Sequence, residues 1–189
     1  MSSDPAICEA NDLLDKKKFR KAHQRFNDLL KGNPLYVSCL ESKAEAYFSQ
    51  KLYKESLELY NKLIGLREGR ITYRQSRAFI AHEAGLYGKA LDDLNFCETI
   101  QKSNQTIYNN RAALHINMKN YEGAITDAKK AIDIDKNFAN PYRHLARANL
   151  KNGNKRAFIQ NINKAIKLKP SYAAAYLDRG IYKKDMADI

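Results

Sequence analysis

The 189-residue chain has no tryptophan, only four prolines and eight glycines, and three cysteines. Each shortage excludes something. So little Gly and Pro rules out collagen-like or linker-rich architecture. Cys8, Cys39 and Cys97 are an odd number without a C-x-x-C pair, which argues against a disulfide framework and for a reducing, intracellular setting. No apolar run reaches the length of about eighteen residues that a membrane span requires. The opening Met1-Ser2-Ser3-Asp4-Pro5 lacks the basic and apolar regions of a signal peptide. A cytoplasmic protein that does not span a membrane is expected.

Constellations for catalysis are also missing. His23, His82, His115 and His144 are widely spaced and form no H-E-x-x-H motif. There is no Gly-rich phosphate loop and no paired-carboxylate motif. The expectation is a non-enzymatic protein with no catalytic, cofactor or metal site.

What the chain does have is a period. Ala10, Ala44, Ala78, Ala112, Ala146 and Gly180 stand 34 residues apart. An aromatic rung, Phe19, Tyr53, Tyr87 and Tyr121, keeps the same spacing, as does a second small rung, Ala22, Ser56, Ala90 and Ala124. Larger residues follow in register: Phe26, Tyr60, Leu94, Ala128 and Ile162, and later Gly32, Leu66, Ile100, Ile134 and Leu168. A fixed period of this length marks one supersecondary unit stacked repeatedly, because a single unit cannot bury its apolar face alone.

Within the copy 105–138, Tyr108, Ala112 and Ile116 are four apart, which is a helical stripe. Met118-Lys119-Asn120 reads as a turn, and Tyr121, Ala124, Ile125, Ala128, Ala131 and Ile132 form a second stripe. Each unit is therefore two antiparallel helices joined by a short bend. Gly85 and Gly153 fall at that bend, while Asn33-Pro34, Asn140-Pro141 and Lys169-Pro170 fall at or beside unit boundaries. The aromatic rungs are expected to pack between helices rather than to stack bases. The frame is a single array, residues 1–189: repeats 3–36, 37–70, 71–104, 105–138 and 139–172, then a terminal helix, 173–189.

The combination Tyr108…Arg111-Ala112…Tyr121…Ala124…Ala128…Ala131, repeated as Leu145-Ala146…Ile162…Ala165…Pro170, resembles the tetratricopeptide repeat family, whose unit is 34 residues. The chain departs from that pattern in lacking Trp, in placing Phe158 where a small residue belongs, and in keeping the boundary proline only as Pro34 and Pro170. The resemblance implies an all-α, right-handed α-solenoid of antiparallel helix pairs: five repeats plus a C-terminal capping helix. It also implies a concave groove, lined by the first helix of each pair, that holds a peptide or helix of a partner protein.

Charge says which part of the groove to examine. The net charge is +12, and eight of those charges belong to residues 139–172, which contain no acid. Arg143, Arg147 and Lys151 are four apart on the first helix of that copy, with Asn140 and His144 beside them. Lys155, Arg156, Lys164, Lys167 and Lys169 follow on the turn and second helix. Asp178, or Asp133 and Asp135, could neutralise part of this charge. The candidate site is thus an anion-binding stretch of groove, and the partner a protein or peptide of acidic character. Nucleic acid or anionic lipid on the same patch is the alternative. Asn110 matches the central Asn of the clamp by which some family members hold acidic chaperone tails. The other four clamp positions carry Gln75, Phe79, Asn140 and His144 instead. Glu41, Glu45 and Glu83 are expected to make the groove acidic in the second and third copies. Leu177, Ile181, Tyr182, Met186 and Ile189 give the last helix an apolar side, to be covered by packing back, self-association or further repeats.

Overall fold

The computed structural model describes residues 4–187. Ser3, where the first repeat is expected to begin, and Ile189, expected on the apolar side of the last helix, lie outside the described residues. Those residues form eleven α-helices and no strand: α1 Pro5–Asp15, α2 Phe19–Gly32, α3 Val37–Ser49, α4 Tyr53–Leu66, α5 Ile71–Glu83, α6 Tyr87–Ile100, α7 Gln105–Asn117, α8 Tyr121–Ile134, α9 Ala139–Lys151, α10 Lys155–Leu168 and α11 Ala173–Ala187.

One turn, used five times, joins each odd-numbered helix to the even-numbered one after it. Lys17, Lys51, Gly85, Lys119 and Gly153 all take positive φ, at 55°, 60°, 75°, 60° and 81°. The next residue then donates its N–H to the carbonyl five positions back, as in Asn120 to His115 and Asn154 to Asn149, both 2.8 Å. This is the Schellman closure, which satisfies carbonyls the helix end leaves open. Only two of the five left-handed positions are glycine, so three lysines carry a steric cost there. In the second half of the chain the turn residue also caps the helix that follows. Asn120 Oδ1 accepts from Gly123 N, and Asn154 Oδ1 from Ala157 N, both at 3.0 Å. A Cβ on Gly123 would stand 2.8 Å from Asn120 Nδ2, so the Asn120 amide would have to shift, whereas Asn154 makes the same cap over Ala157. At the corresponding positions Lys18 and Leu52 give α2 and α4 no side-chain cap.

By packing, the chain divides into two compact units, Met1–Asp93 and Leu94–Ile189, with the boundary inside α6. In the first unit α1 packs on α2 and α3, α3 on α4, and α4 on α5. Ile7, Ala10, Phe26, Cys39 and Ala46 form a buried cluster there. In the second unit α7 packs on α8 and α9, α9 on α8 and α10, and α10 on α11. A cluster there joins Ala146, Phe158, Ile162, Ala165 and Ala175, with Tyr142 and Tyr182 packed against it. Fully burying a Phe or Ile side chain of this kind contributes roughly 1.5–3 kcal/mol.

The alanine ladder is the close-approach line of these packings. Ala10, Ala44, Ala112 and Ala146 have no exposed surface and Ala78 has 2%. Other rungs lie further out than the sequence suggests. Phe19 is 39% exposed, Ile100 53% and Ile134 38%. They occupy the first or last residue of an even-numbered helix, where neighbours cover one side only. Of the tyrosines, Tyr60 is buried, and Tyr53, Tyr87 and Tyr121 are half-buried. Each unit is a stack of helix pairs, the plan of an all-α solenoid.

Candidate functional site

The most ordered polar feature is one the sequence reading passed over. In α7, Arg111 is 7% exposed and its Nε and Nη2 donate to the two carboxylate oxygens of Asp127 in α8, at 2.7 and 2.8 Å. Its Nη1 donates to Asn95 Oδ1 at 2.9 Å and to Glu98, both in α6. Arg77 in α5 does the same with Asp93, at 2.8 and 2.6 Å, and with Asn61, at 2.7 Å. The bonds to Asn61 and Asn95 are 34 residues apart, and Lys43 to Asn27 at 2.6 Å extends the row in the first unit. Arg179 to Asn163 at 2.9 Å extends it in the second. The signal was legible as a basic ladder, Lys43, Arg77, Arg111 and Arg179, interrupted at Leu145. Hydrogen bonding to Asp127 raises the Arg111 pKa despite burial, so the pair stays ionised. Arg77 and Arg111, each closed by a carboxylate, hold helices together and are unavailable to a ligand.

The expected site residues divide into three groups. Arg143 is structural: its Nε donates to Asp178 Oδ2 at 2.6 Å and its Nη2 reaches Oδ1 at 3.4 Å, tying α9 to α11. Burial opposes its charge, but the Asp178 carboxylate and Tyr172 outweigh that and raise its pKa. Asp178, named above as able to neutralise part of this charge, is the residue that α11 brings to Arg143. His144 is 8% exposed. Asn140 is half-buried in the first turn of α9. Asn110 is half-buried, and its Oδ1 accepts from Asn109 Nδ2 at 3.2 Å. Asn109 is buried, and its own Oδ1 has no hydrogen-bond partner.

Arg147 and Lys151 are the pair that the structure brings together at a cavity. It measures about 220 Å³ and lies wholly in the second unit. Ile116 of α7, Leu150 of α9, Phe158 of α10 and Ile181 and Tyr182 of α11 provide apolar lining, while Asp178 and Asp185 bring carboxylates. Phe158 and Tyr182 pack ring on ring, with centroids 4.7 Å apart. Two larger depressions lie elsewhere: about 640 Å³ at residues 100–105, and about 570 Å³ between α4 and the start of α6, where Lys51, Lys54, Lys89, Glu55 and Glu58 surround a single ring, Tyr53. The remaining basic residues of this stretch are partly engaged. Lys164 Nζ lies 5.9 Å from the Tyr142 ring centroid and Lys169 Nζ 5.3 Å from that of Tyr172.

In the first unit Glu41 accepts from the Tyr73 hydroxyl and lies 3.8 Å from Arg70 Nη1, so it links α3 to α5. Desolvation, then the Glu41 charge, raises the Glu45 pKa. Burial pushes the Cys39 thiol up to about 11, which leaves it inert. Among the described residues no group of three or more His, Cys, Asp or Glu could hold a metal ion. None of the described helices is long and apolar enough to cross a membrane.

Comparison with known proteins agrees with this architecture. No curated protein sequence matches the chain. Among solved structures, a tetratricopeptide repeat protein from Parabacteroides merdae superposes with a TM-score of 0.78 at 23% identity, covering 97% of this chain and 75% of that one. MamA from Desulfovibrio magneticus superposes with a TM-score of 0.75 at 14% identity, covering 91% of this chain and 99% of that one. YrrB, described as a TPR protein with an unusual peptide-binding site, gives 0.70 at 14% identity, covering 95% and 92%. At such identities the likeness concerns the fold. Two family models, both described as tetratricopeptide repeat, match residues 9–71 and residues 105–138 and 139–172. The chain belongs to the tetratricopeptide repeat family, whose fold is in general a scaffold for protein interactions.

Proposed function

We propose that this protein is a non-enzymatic scaffold whose second unit holds an extended peptide segment of a partner, with an apolar side chain of the peptide in the α7–α9–α11 cavity and an acidic group against Arg147 and Lys151. The observation that carries this reading is the cavity itself: two cations one helical turn apart beside Ile116, Leu150, Phe158 and Tyr182. Apolar area supplies the bulk of such binding, and the cations choose the partner. YrrB lends support as a peptide-binding member of the same fold. Three cysteines without a C-x-x-C pair fit a cytoplasmic setting.

A nucleic-acid or anionic-lipid surface fits less well. Binding to a phosphate backbone or lipid headgroups needs a track of one sign. Here Asp178 and Asp185 share the cavity wall, Arg143 is already paired, and two lysines sit over tyrosine rings. A panel of labelled ten-residue peptides with a Leu or Phe flanked by Glu, read by fluorescence anisotropy, tests the choice. Arg147→Glu/Lys151→Glu should weaken the best peptide at least tenfold while leaving thermal unfolding unchanged. Equal affinity for wild type and the double variant would sink the site. Submicromolar binding of single-stranded RNA or anionic vesicles that the double variant loses would install the alternative.

A further inference from the structure

Helix α11 repeats the surface that α7 presents to α8. At matching register, Tyr108, Arg111 and Ala112 of α7 correspond to Tyr176, Arg179 and Gly180 of α11. The local geometry is the same too. The guanidinium lies over the tyrosine ring, 5.4 Å from the centroid in α7 and 5.2 Å in α11. In both, Nη1 donates to an Asn of the preceding helix at 2.9 Å. The difference is what covers the surface. Tyr108 is 5% exposed under α8, and Ala112 is fully buried; Tyr176 is 43% exposed and Gly180 is exposed. Beside them Leu177 is 64% and Ile181 53% exposed. In α7 the other edge of the guanidinium, Nε and Nη2, is filled by Asp127, and in α5 by Asp93. Among the described residues no carboxylate faces that edge of Arg179.

We propose that this face of α11 docks an amphipathic helix of a partner protein, which presents an Asp or Glu side chain to the Nε–Nη2 edge of Arg179 and an apolar stripe to Tyr176, Gly180 and Leu177. Charge complementarity selects this occupant. A planar guanidinium held by a ring below and an amide at one corner is preorganised for a bidentate carboxylate, and the same chain fills the same edge twice with Asp. A second copy docked face to face would set one Arg179 against the other, so symmetric pairing is opposed by like charge. The residues of the proposed contact, Tyr176, Leu177, Arg179 and Gly180, are not among those that line the cavity, and Ile181 stands at the border of the two.

The protein supplies its own probe. A fluorescein-labelled peptide with the sequence of residues 120–135, held helical by a lactam on its outer face, carries Asp127 on the stripe that covers α7. Titrated with the full chain, it should bind saturably in the range of about 10–100 µM. Asp127→Asn in the peptide, or Arg179→Ala in the protein, should weaken binding about tenfold or more, and Leu177→Glu should abolish it. Arg147→Glu/Lys151→Glu should leave it unchanged. Dependence on Arg179 also separates docking on α11 from exchange of the peptide with the chain's own α8. No binding at about 1 mM, or binding indifferent to both Asp127→Asn and Arg179→Ala, overturns the proposal. So does a dimer by sedimentation equilibrium that Leu177→Glu breaks and Arg179→Ala does not, since that gives the face to a second copy.

Discussion

Replacing Arg111 by Leu removes one partner of a buried pair and leaves the other. Asp127 is 4% exposed, and two of its hydrogen bonds, at 2.7 and 2.8 Å, come from Arg111. A carboxylate stranded in that position costs roughly 3–5 kcal/mol, a large part of the stability of an ordinary domain. Glu98 and Asn95 also lose a partner, but Glu98 is 27% exposed and recovers water. In urea, with a slope of about 2 kcal/mol/M, the loss moves the midpoint of the second unit down by about 2 M. Far-UV circular dichroism follows it. The chain itself shows how the defect can be repaired: 34 residues on, Leu145 and Asn161 occupy these two positions, Leu145 packs with Ala112 and Ala128, and Asn161 Nδ2 donates to Ala157 O at 2.8 Å. Arg111→Leu/Asp127→Asn therefore recreates a pairing the fold already uses. It should cost about 1 kcal/mol or less, so that the two substitutions show a coupling of about 2 kcal/mol or more. The reasoning fails if the double variant is as unstable as the single one, because then the loss comes from packing and not from an abandoned charge.

The same pair explains where sequence reading succeeds and where it stops. Alanines at a fixed period record helix–helix contact directly, since only a small side chain permits close approach, and Ala10, Ala44, Ala112 and Ala146 are all fully buried. The bends were legible at Gly85 and Gly153 because glycine advertises a left-handed residue. Lys17, Lys51 and Lys119 adopt the same conformation without advertising it. Charge was harder. A sequence counts Arg143 and Arg147 alike, both basic and four apart, yet one is bound to Asp178, 35 residues away, and the other lines a cavity. Whether a cation is spent on the fold or free for a ligand depends on what the next helix brings opposite it. The ladder Lys43, Arg77, Arg111 and Arg179 was visible in the periodic text. Its meaning required seeing Asp93, Asp127 and the four asparagines on the facing helices. A basic residue that recurs with the period is a structural suspect, and one confined to a single copy, like Arg143 or Arg147, is decided by what faces it.

Two further perturbations test the local arguments. Lys119→Gly relieves a left-handed lysine and should stabilise the protein by about 0.5–1 kcal/mol, while Gly153→Ala, at the same place one repeat later, should cost about 1 kcal/mol; thermal melts showing the same sign for both would refute the turn argument. Acidification should destabilise the second unit in two stages. Burial lowers the His115 pKa, with Asp127 opposing and Arg111 assisting, and the Arg111 hydrogen bond, against burial, lowers that of Glu98. Both are depressed, so each contributes stability that is complete above its unfolded pKa and lost as pH falls through its folded one. For His115 that window opens just below the ordinary value of about 6.5, and for Glu98 below about 4.5. Melting temperatures should therefore decline from pH 7 to 5, and His115→Asn should flatten that first decline without touching the second. A wild-type protein that gains stability on acidification from pH 7 to 5 would mean that His115 is charged in the fold and paired with Asp127, 3.6 Å away, rather than neutral beside the Arg111–Asp127 pair.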